Sequence, residues 1–477
     1  MSRPFYITTT LPYVNAPLHM GHALEFIRAD AMARYRILRG DDVFFNTGTD
    51  EHGQKIATKA IEAGQSPQVF VDAAFAVFKE QVQAFGISEQ AHFVRTTDEH
   101  HIIAAQAFWE RVAQNGYIYK KAYQTKYCVG CESEKTDSEL VDGQCPLHPG
   151  LELELIDEEN YFFKFSAFGE RLRLYYETNP TFITPQYRYN EMKAFIERGL
   201  EDFSISRLKE KMSWGVPVPG DETQVMYVWF DALTNYISTL GWPENEEAFA
   251  RYWEKGTPTQ YCGKDNTRFQ GVMWQAMLMA ADLPNSHRIV VNGFITADGG
   301  VRMSKTLGNV VDPLTVAREY GTDALRLFLL KEVSSFEDSP FTIERFRDAY
   351  NANLANGLGN LTSRILTLSE KYLTPISVFP DMQPSFHEAI EAFDLQRAMQ
   401  VLWHQTTELD RFIQESKPFS VIKTDEAKGK ELIAECVARL GMIATALAPF
   451  LPSTSEKILS LIKENKKPQV PLFARLE

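Results

Sequence analysis

Two short strings, about 280 residues apart, carry the residue types that could do phosphate chemistry. The first is His19-Met20-Gly21-His22, and the second is Arg302-Met303-Ser304-Lys305-Thr306. A glycine between two histidines lets a phosphate or a flat purine approach the main chain, while the imidazoles supply donors to an anion. Lys305, on a loop that follows Gly299-Gly300, can swing onto a phosphate as charge develops there. A third cluster is metal-like: Cys128-x2-Cys131, thirteen residues, then Cys145-x2-His148. Each half supplies two ligands from one tight turn, and four soft or borderline donors suit a tetrahedral, closed, structural zinc. The competing reading is a redox pair of Cys128 and Cys131, which leaves Cys145 and His148 without a role.

These strings need a scaffold. The run Tyr6–Thr10 is β-branched and reads as a strand. After it, Leu24, Ile27, Ala31, Tyr35 and Leu38 recur at spacings of three and four, so a helix opens at the first motif. A strand entering a helix at that point presents free backbone N–H groups and a positive dipole end. Val43–Asn46 reads as a second strand, and Phe70, Ala74, Phe78 and Val82 as one face of a helix. Alternation of this kind predicts a parallel sheet with helices on both faces. Gln224–Phe230 and Ile289–Phe294 read as strands that resume the sheet around a helix at Val272–Ala281. The expected domains are 1–116 and 221–344 for the two halves of an α/β catalytic unit, 117–220 for a zinc-bearing insert, and 345–477 for an α-helical bundle.

At 477 residues the chain exceeds one ordinary core. The net charge of −14 argues against nucleic-acid binding over a broad surface. The charge is uneven, however: residues 341–477 hold 16 basic and 17 acidic side chains, a near balance that leaves room for a local basic stripe. Met1–Leu11 lacks a secretory pattern, and the apolar run Gly441–Leu451 is too short to span a bilayer. Five clustered cysteines do not form a disulfide scaffold, so a reducing cytoplasm is the expected compartment. No dimerisation module follows the bundle, and a monomer is expected.

The two strings resemble the paired motifs that define the class I aminoacyl-tRNA synthetases, within them the methionyl family. The likeness extends to Leu11-Pro12-Tyr13-Val14-Asn15, Gly48-Thr49-Asp50-Glu51-His52-Gly53, Trp214-Gly215-Val216-Pro217-Val218-Pro219-Gly220-Asp221, Tyr227–Ala232 and Gly263-Lys264-Asp265, in the family's order. The resemblance implies a Rossmann-like catalytic domain that joins methionine to initiator and elongator tRNA(Met) through a methionyl-adenylate. ATP with Mg²⁺ is then the substrate, and one structural zinc the metal. It assigns phosphate contacts to His19 and His22, adenine stacking to Gly21, ribose binding to Asp265, and charge neutralisation to Arg302 and Lys305. Asp50 would take the substrate ammonium, and Leu11, Tyr13, Trp229, Ala232 and Tyr236 would line the side-chain pocket. A thioether suits such a wall, being polarizable and a weak acceptor.

Two positions depart from the family: Asn266 and Gln270 stand where it has an apolar residue and a histidine. Their amides can hydrogen-bond the sulfur and each other, or favour a more polar side chain. In the terminal bundle, Asn360 and Arg364 resemble the anticodon-reading pair, with Phe419 where the family stacks a tryptophan. Rival readings are a class I synthetase for another amino acid, a nucleotidylyltransferase with the same His-x-Gly-His turn, and a non-catalytic RNA-binding paralogue.

Overall fold

The computed structural model describes residues 2–131, 133–135, 139–301, 303 and 310–477. Arg302 and Lys305 lie outside the described residues.

Among the described residues, six strands form a parallel sheet: β1 (Pro4–Thr8), β2 (Asp42–Thr49), β3 (His92–Arg95), β4 (Ile183–Thr184), β5 (Thr259–Gly263) and β6 (Arg288–Asn292). Their spatial order is β3-β2-β1-β5-β6-β4. Ile7 and Thr8 of β1 lie beside Thr259 and Gln260 of β5, while Pro4–Thr8 pair on the other side with Asp42–Asn46 of β2. The chain leaves β1 toward β2 and β3 but leaves β5 toward β6. The crevice between the C-terminal ends of β1 and β5 is therefore the point where the winding reverses, which is where open α/β sheets bind ligands.

Helix α1 (Met20–Leu38) forms the β1–β2 crossover and is buried over most of its circumference. It packs on the sheet and also faces the helical end of the chain, so one continuous core runs from Ile7 and Phe26 through Leu325 and Phe328 to Leu402 and Leu440. A helix covered on both sides accepts charged residues only where their partners are built in. Arg28 donates to Asn292 Oδ1 and to the carbonyls of Val333, Ser334 and Ser335. Asp30 holds Arg326 at 2.8 Å with both side chains fully buried. The same guanidinium reaches the carbonyls of Pro449 and Phe450, tying α1 to the terminal helices.

Segment 117–220 contains an antiparallel sheet ordered Ser133–Lys135, Ile118–Cys128, Glu154–Phe163, Phe203–Ser204. Part of this segment also joins the main sheet, since Ile183–Thr184 pairs with Ile289 and Val290. Gln224–Phe230 does not resume the parallel sheet. Its first residues end a strand, Asp221–Met226, that pairs antiparallel with Ser206–Leu208, and Val228–Ala232 is a short helix. The strand that does resume the parallel sheet is β5, next to β1. From Ile343 onward the regular elements are helices, including Asn360–Tyr372, Leu395–Ser416, Glu426–Leu447 and Pro452–Glu464. Lys417 closes one in the left-handed region and Pro418 opens the next. No helix of the described residues is long and apolar enough to cross a membrane.

Replacing Arg326 by Met removes the buried one of Asp30's two counter-charges and leaves it Arg34 at 2.7 Å and the N–H of Ser88 at 2.8 Å. Urea unfolding is expected to show a loss of about 3–5 kcal/mol; a loss below about 1 kcal/mol would show that Arg34 and Ser88 suffice to hold Asp30.

Candidate active site

Helix α1 opens with a reciprocal cap made of two imidazoles. His19 is the N-cap in extended conformation (φ −103, ψ 175), and its Nδ1 accepts the N–H groups of Gly21 at 3.1 Å and His22 at 3.4 Å. In return, His22 Nδ1 accepts the N–H of His19 at 3.3 Å. The rings stack with centroids 3.7 Å apart. A side chain at Gly21 would place its Cβ 3.0 Å from the His19 ring, so glycine is what lets that ring fold back over the helix end. Two of the backbone donors expected to be free at this end, those of Gly21 and His22, are thus taken. Because both Nδ1 atoms accept, both rings carry their proton on Nε2. Burial and the neighbouring His19 hold His22 well below the ordinary imidazole range, so it is neutral at pH 7. The first turn has no acidic residue, and the positive end of the helix dipole is left uncancelled beside the rings.

One turn into α1, Glu25 is buried, and its Oε1 accepts the N–H of Thr10 at 2.6 Å. Burial, with the Asp265 charge nearby, pushes its carboxyl up to about 8, so it is protonated at pH 7. Asp265 itself is exposed just beyond the end of β5. Glu25 and Asp265 are therefore close enough at the β1–β5 crevice for the one to raise the carboxyl of the other. The sequence signal for Glu25 was a carboxylate midway between His22 and Arg28 on one helix face.

The second group of residues gathers at the ends of β1 and β2. Tyr13 bridges to Asp50; the Asp50 N–H donates to Pro12 O at 3.0 Å and the Val14 N–H to Asp50 O at 3.2 Å. Leu11, Ala232 and Tyr236 are buried, and Trp229 lies flat on Phe269 with ring centroids 3.9 Å apart. Gln270 is fully buried and committed: its Nε2 donates to Thr10 Oγ1 at 2.7 Å and its Oε1 accepts from Gln260 at 3.3 Å. Asn266 is linked to it through the main chain, the Gln270 N–H donating to Asn266 O. The two side-chain amides do not bond each other, so the polar departure at 270 is turned inward into a network that continues from Gln260 to Ser286 and Gln275.

The donors of Cys128, Cys131, Cys145 and His148 lie within 4.8 Å of one another. His148 Nδ1 is 3.2 to 3.9 Å from the three sulfurs, and Cys131 Sγ is 3.4 Å from Cys145 Sγ. Tetrahedral bonds of about 2.3 Å to sulfur and about 2.0 Å to nitrogen give edges of roughly 3.5–3.8 Å, so the set fits zinc with no open position. A Cβ on Gly130 would strike the His148 ring, which explains the glycine inside the first turn. Lys55 Nζ donates to Gly130 O at 2.6 Å, joining this cluster to the helix that follows Asp50–Gly53.

In the terminal helices, Arg364 and Phe419 line one cavity of about 340 Å³, and Phe419 is 44% exposed. Asn360 is exposed at the start of its helix, and Arg364 is bonded to Asp410 at 2.6 Å.

Residues 5–152 and 147–366 match the family described as tRNA synthetases class I (M). The chain is 40% identical to a methionine–tRNA ligase of Caldanaerobacter subterraneus, over 96% of this chain and 74% of the relative. It is 38% identical to that of Brucella suis, over 97% and 92%.

The chain belongs to the class I tRNA synthetases of the methionine type.

At the level of structure, this synthetase superposes with a TM-score of 0.91 and 33% identity on Mycobacterium tuberculosis methionyl-tRNA synthetase in complex with methionyl-adenylate, covering 99% of this chain and all of that one. The apo form of that enzyme gives 0.85 at 30% identity. Membership over nearly the whole length leaves the nucleotidylyltransferase reading without support.

The raised Glu25 carboxyl gives this synthetase a pH signature. Its folded form keeps a proton that the unfolded chain sheds near pH 4.5, so its effect is to lower stability as pH rises from there to about 8. Glu25→Gln keeps the acceptor for Thr10 and should flatten that slope in a series of thermal melts from pH 5 to 8. A slope identical to the parent's would show that Glu25 ionises normally.

Proposed function

We propose that this synthetase performs the two steps of a methionine–tRNA ligase with the residues gathered at the β1–β5 crevice. In the first, a methionine carboxylate oxygen attacks the α-phosphorus of ATP; the new C(O)O–P bond forms as the bond to the bridging oxygen breaks, and pyrophosphate leaves with Mg²⁺. In the second, the 2′-hydroxyl oxygen of the terminal adenosine of initiator or elongator tRNA bonds to the adenylate carbonyl carbon as the bond from that carbon to the phosphate oxygen breaks, and AMP leaves with the hydroxyl proton. The activation step moves no proton, so it needs placement and charge stabilisation rather than a general base. The reading is carried by the double-imidazole cap: two stacked rings whose Nδ1 atoms accept backbone N–H groups, leaving Nε2 as donor, with His22 held neutral and an uncancelled helix dipole behind them, at the point where the sheet's winding reverses.

In this reading His19 and His22 hold phosphate oxygens through their Nε2–H groups, and Lys305 and Arg302 add the cationic contribution. Gly21 underlies the adenine, and Asp265 takes the ribose hydroxyls. Asp50 binds the ammonium, and Leu11, Tyr13, Trp229, Ala232 and Tyr236 enclose the side chain. Gln270, tied to Thr10 and Gln260, shapes the wall and leaves Asn266 as the nearer amide. Cys128, Cys131, Cys145 and His148 hold one zinc, which stiffens the insert. Asn360, Arg364 and Phe419 meet the anticodon, with Arg364 exchanging Asp410 for a base. All five cysteines are free, which is consistent with a cytoplasmic protein.

Amino-acid-dependent ATP–pyrophosphate exchange, run with all twenty amino acids and no tRNA, should respond to methionine alone. Lys305→Ala should cut kcat by about 10²-fold or more with little change in KM for methionine. Exchange driven by another amino acid would overturn the substrate assignment, and an unchanged kcat would remove Lys305 from the chemistry.

A further inference from the structure

A fully buried anion sits behind the wall that this reading assigns to the methionine side chain. Asp231 lies between Trp229 and Ala232 on the short helix Val228–Ala232 and has no solvent exposure. Its Oδ2 is 2.7 Å from His52 Nδ1, and its Oδ1 is 2.8 Å from His101 Nε2. His101 Nδ1 is in turn 2.9 Å from Ser238 Oγ, two residues past Tyr236. His101 is itself fully buried and His52 nearly so. The three residues come from different parts of the fold: His52 from the loop after β2, His101 from the helix Glu99–Gln114 after β3, and Asp231 from the pocket wall.

Burial alone would raise the Asp231 carboxyl, yet the two histidines hold it at about 2, so it remains an anion. A buried carboxylate is an expensive way to join a loop to a helix, since apolar packing makes such contacts at lower cost. What the carboxylate adds is direction. Two N–H donors, one to each oxygen, fix both the loop and the helix against sliding, which a greasy contact allows. That matters because both partners carry substrate-facing groups. Asp50 is two residues before His52, while Trp229 and Ala232 flank Asp231. An amino acid's ammonium and side chain branch from one carbon, so the two subsites must hold their separation to about 0.5 Å. Among the other ties in this region, one also joins β2 to the pocket wall, through a neutral amide pair at 3.3 Å. Glu51 is anchored by Arg95 and Thr49, and Asn235 by Asn46.

We infer that His52, Asp231 and His101 are positioning residues that lock the ammonium subsite to the side-chain subsite. None of them touches substrate; they act through Asp50 and Trp229. The inference rests on the roles given above to those two residues, and it predicts a specific kinetic defect rather than a general loss.

The test uses the full chain and its variants Asp231→Asn, His101→Gln and His52→Gln in ATP–pyrophosphate exchange, with active sites counted by adenylate burst. KM for methionine should rise roughly tenfold or more, while KM for ATP stays within about twofold and the burst fraction is unchanged. A reduced burst fraction with both KM values unaltered, or an equal rise in both, would overturn the inference and leave the cluster a plain structural contact. If Asp231→Asn does not fold, His52→Gln decides the matter, because it keeps the Asp231–His101 bond. If the parent responds to an amino acid other than methionine, the functional reading fails separately, and the same KM comparison with that amino acid still tests the lock.

Discussion

The reciprocal cap of His19 and His22 is the constraint around which the site is built. A helix N-terminus normally offers its first amides to a ligand, but here the imidazoles take those of Gly21 and His22. The consequence is a fixed pair of rings. Each is held in one tautomer by the bond its Nδ1 accepts, and the stack prevents either from rotating alone. What reaches the ligand is a rigid pair of N–H donors rather than flexible cations. Such donors stabilise charge without reorganising as it develops, which is where an activation step without proton transfer gains most.

Buried charge organises the rest of the molecule to an unusual degree. Arg28 and Asp30 in α1, Arg326 between the sheet and the terminal helices, Glu51 beside Arg95, and Asp231 between two histidines are all interior. None of these is a bargain in stability, because desolvation offsets most of the Coulombic gain. Their common effect is to fix elements in register where apolar packing alone would allow sliding. The pairs at Arg326 and Arg28 do this between the catalytic helix and the C-terminal part, and the Asp231 cluster does it within the amino-acid pocket. Glu25 is the exception: unpaired by any cation, it keeps a proton instead.

Much of this was legible in the sequence wherever spacing dictates geometry. The strand before His19 and the helix after it follow from β-branched and three-four periodic residues, and the two Cys-x2 turns follow from ligand count alone. Legibility failed where tertiary contacts override local preference. Gln224–Phe230 reads as one strand because Val225, Tyr227, Val228 and Phe230 favour extended backbone. Yet the chain turns helical at Val228, where the Asp231 bonds and the Trp229–Phe269 stack hold it. The central strand β5 was missed because Thr-Gln-Tyr-Cys-Gly is short and its polar Gln260 belongs to a buried network that no pattern announces. The same limit applies to single residues. The sequence marks Gln270 as a departure but not the direction its amide takes, and it marks the glycine at 21 but not the His19 ring that packs beside it.

The reciprocal cap requires an unprotonated Nδ1 on both imidazoles, which nitrogen NMR of the intact protein labelled at histidine reads out. The His19 and His22 signals are assigned from single His→Asn variants. The account predicts, at pH 7, an unprotonated Nδ1 and a protonated Nε2 on both rings, with His22 showing no protonation as the pH is lowered through the ordinary histidine range. A His22 ring that becomes fully protonated near pH 6.5, or carries its proton on Nδ1, would contradict it.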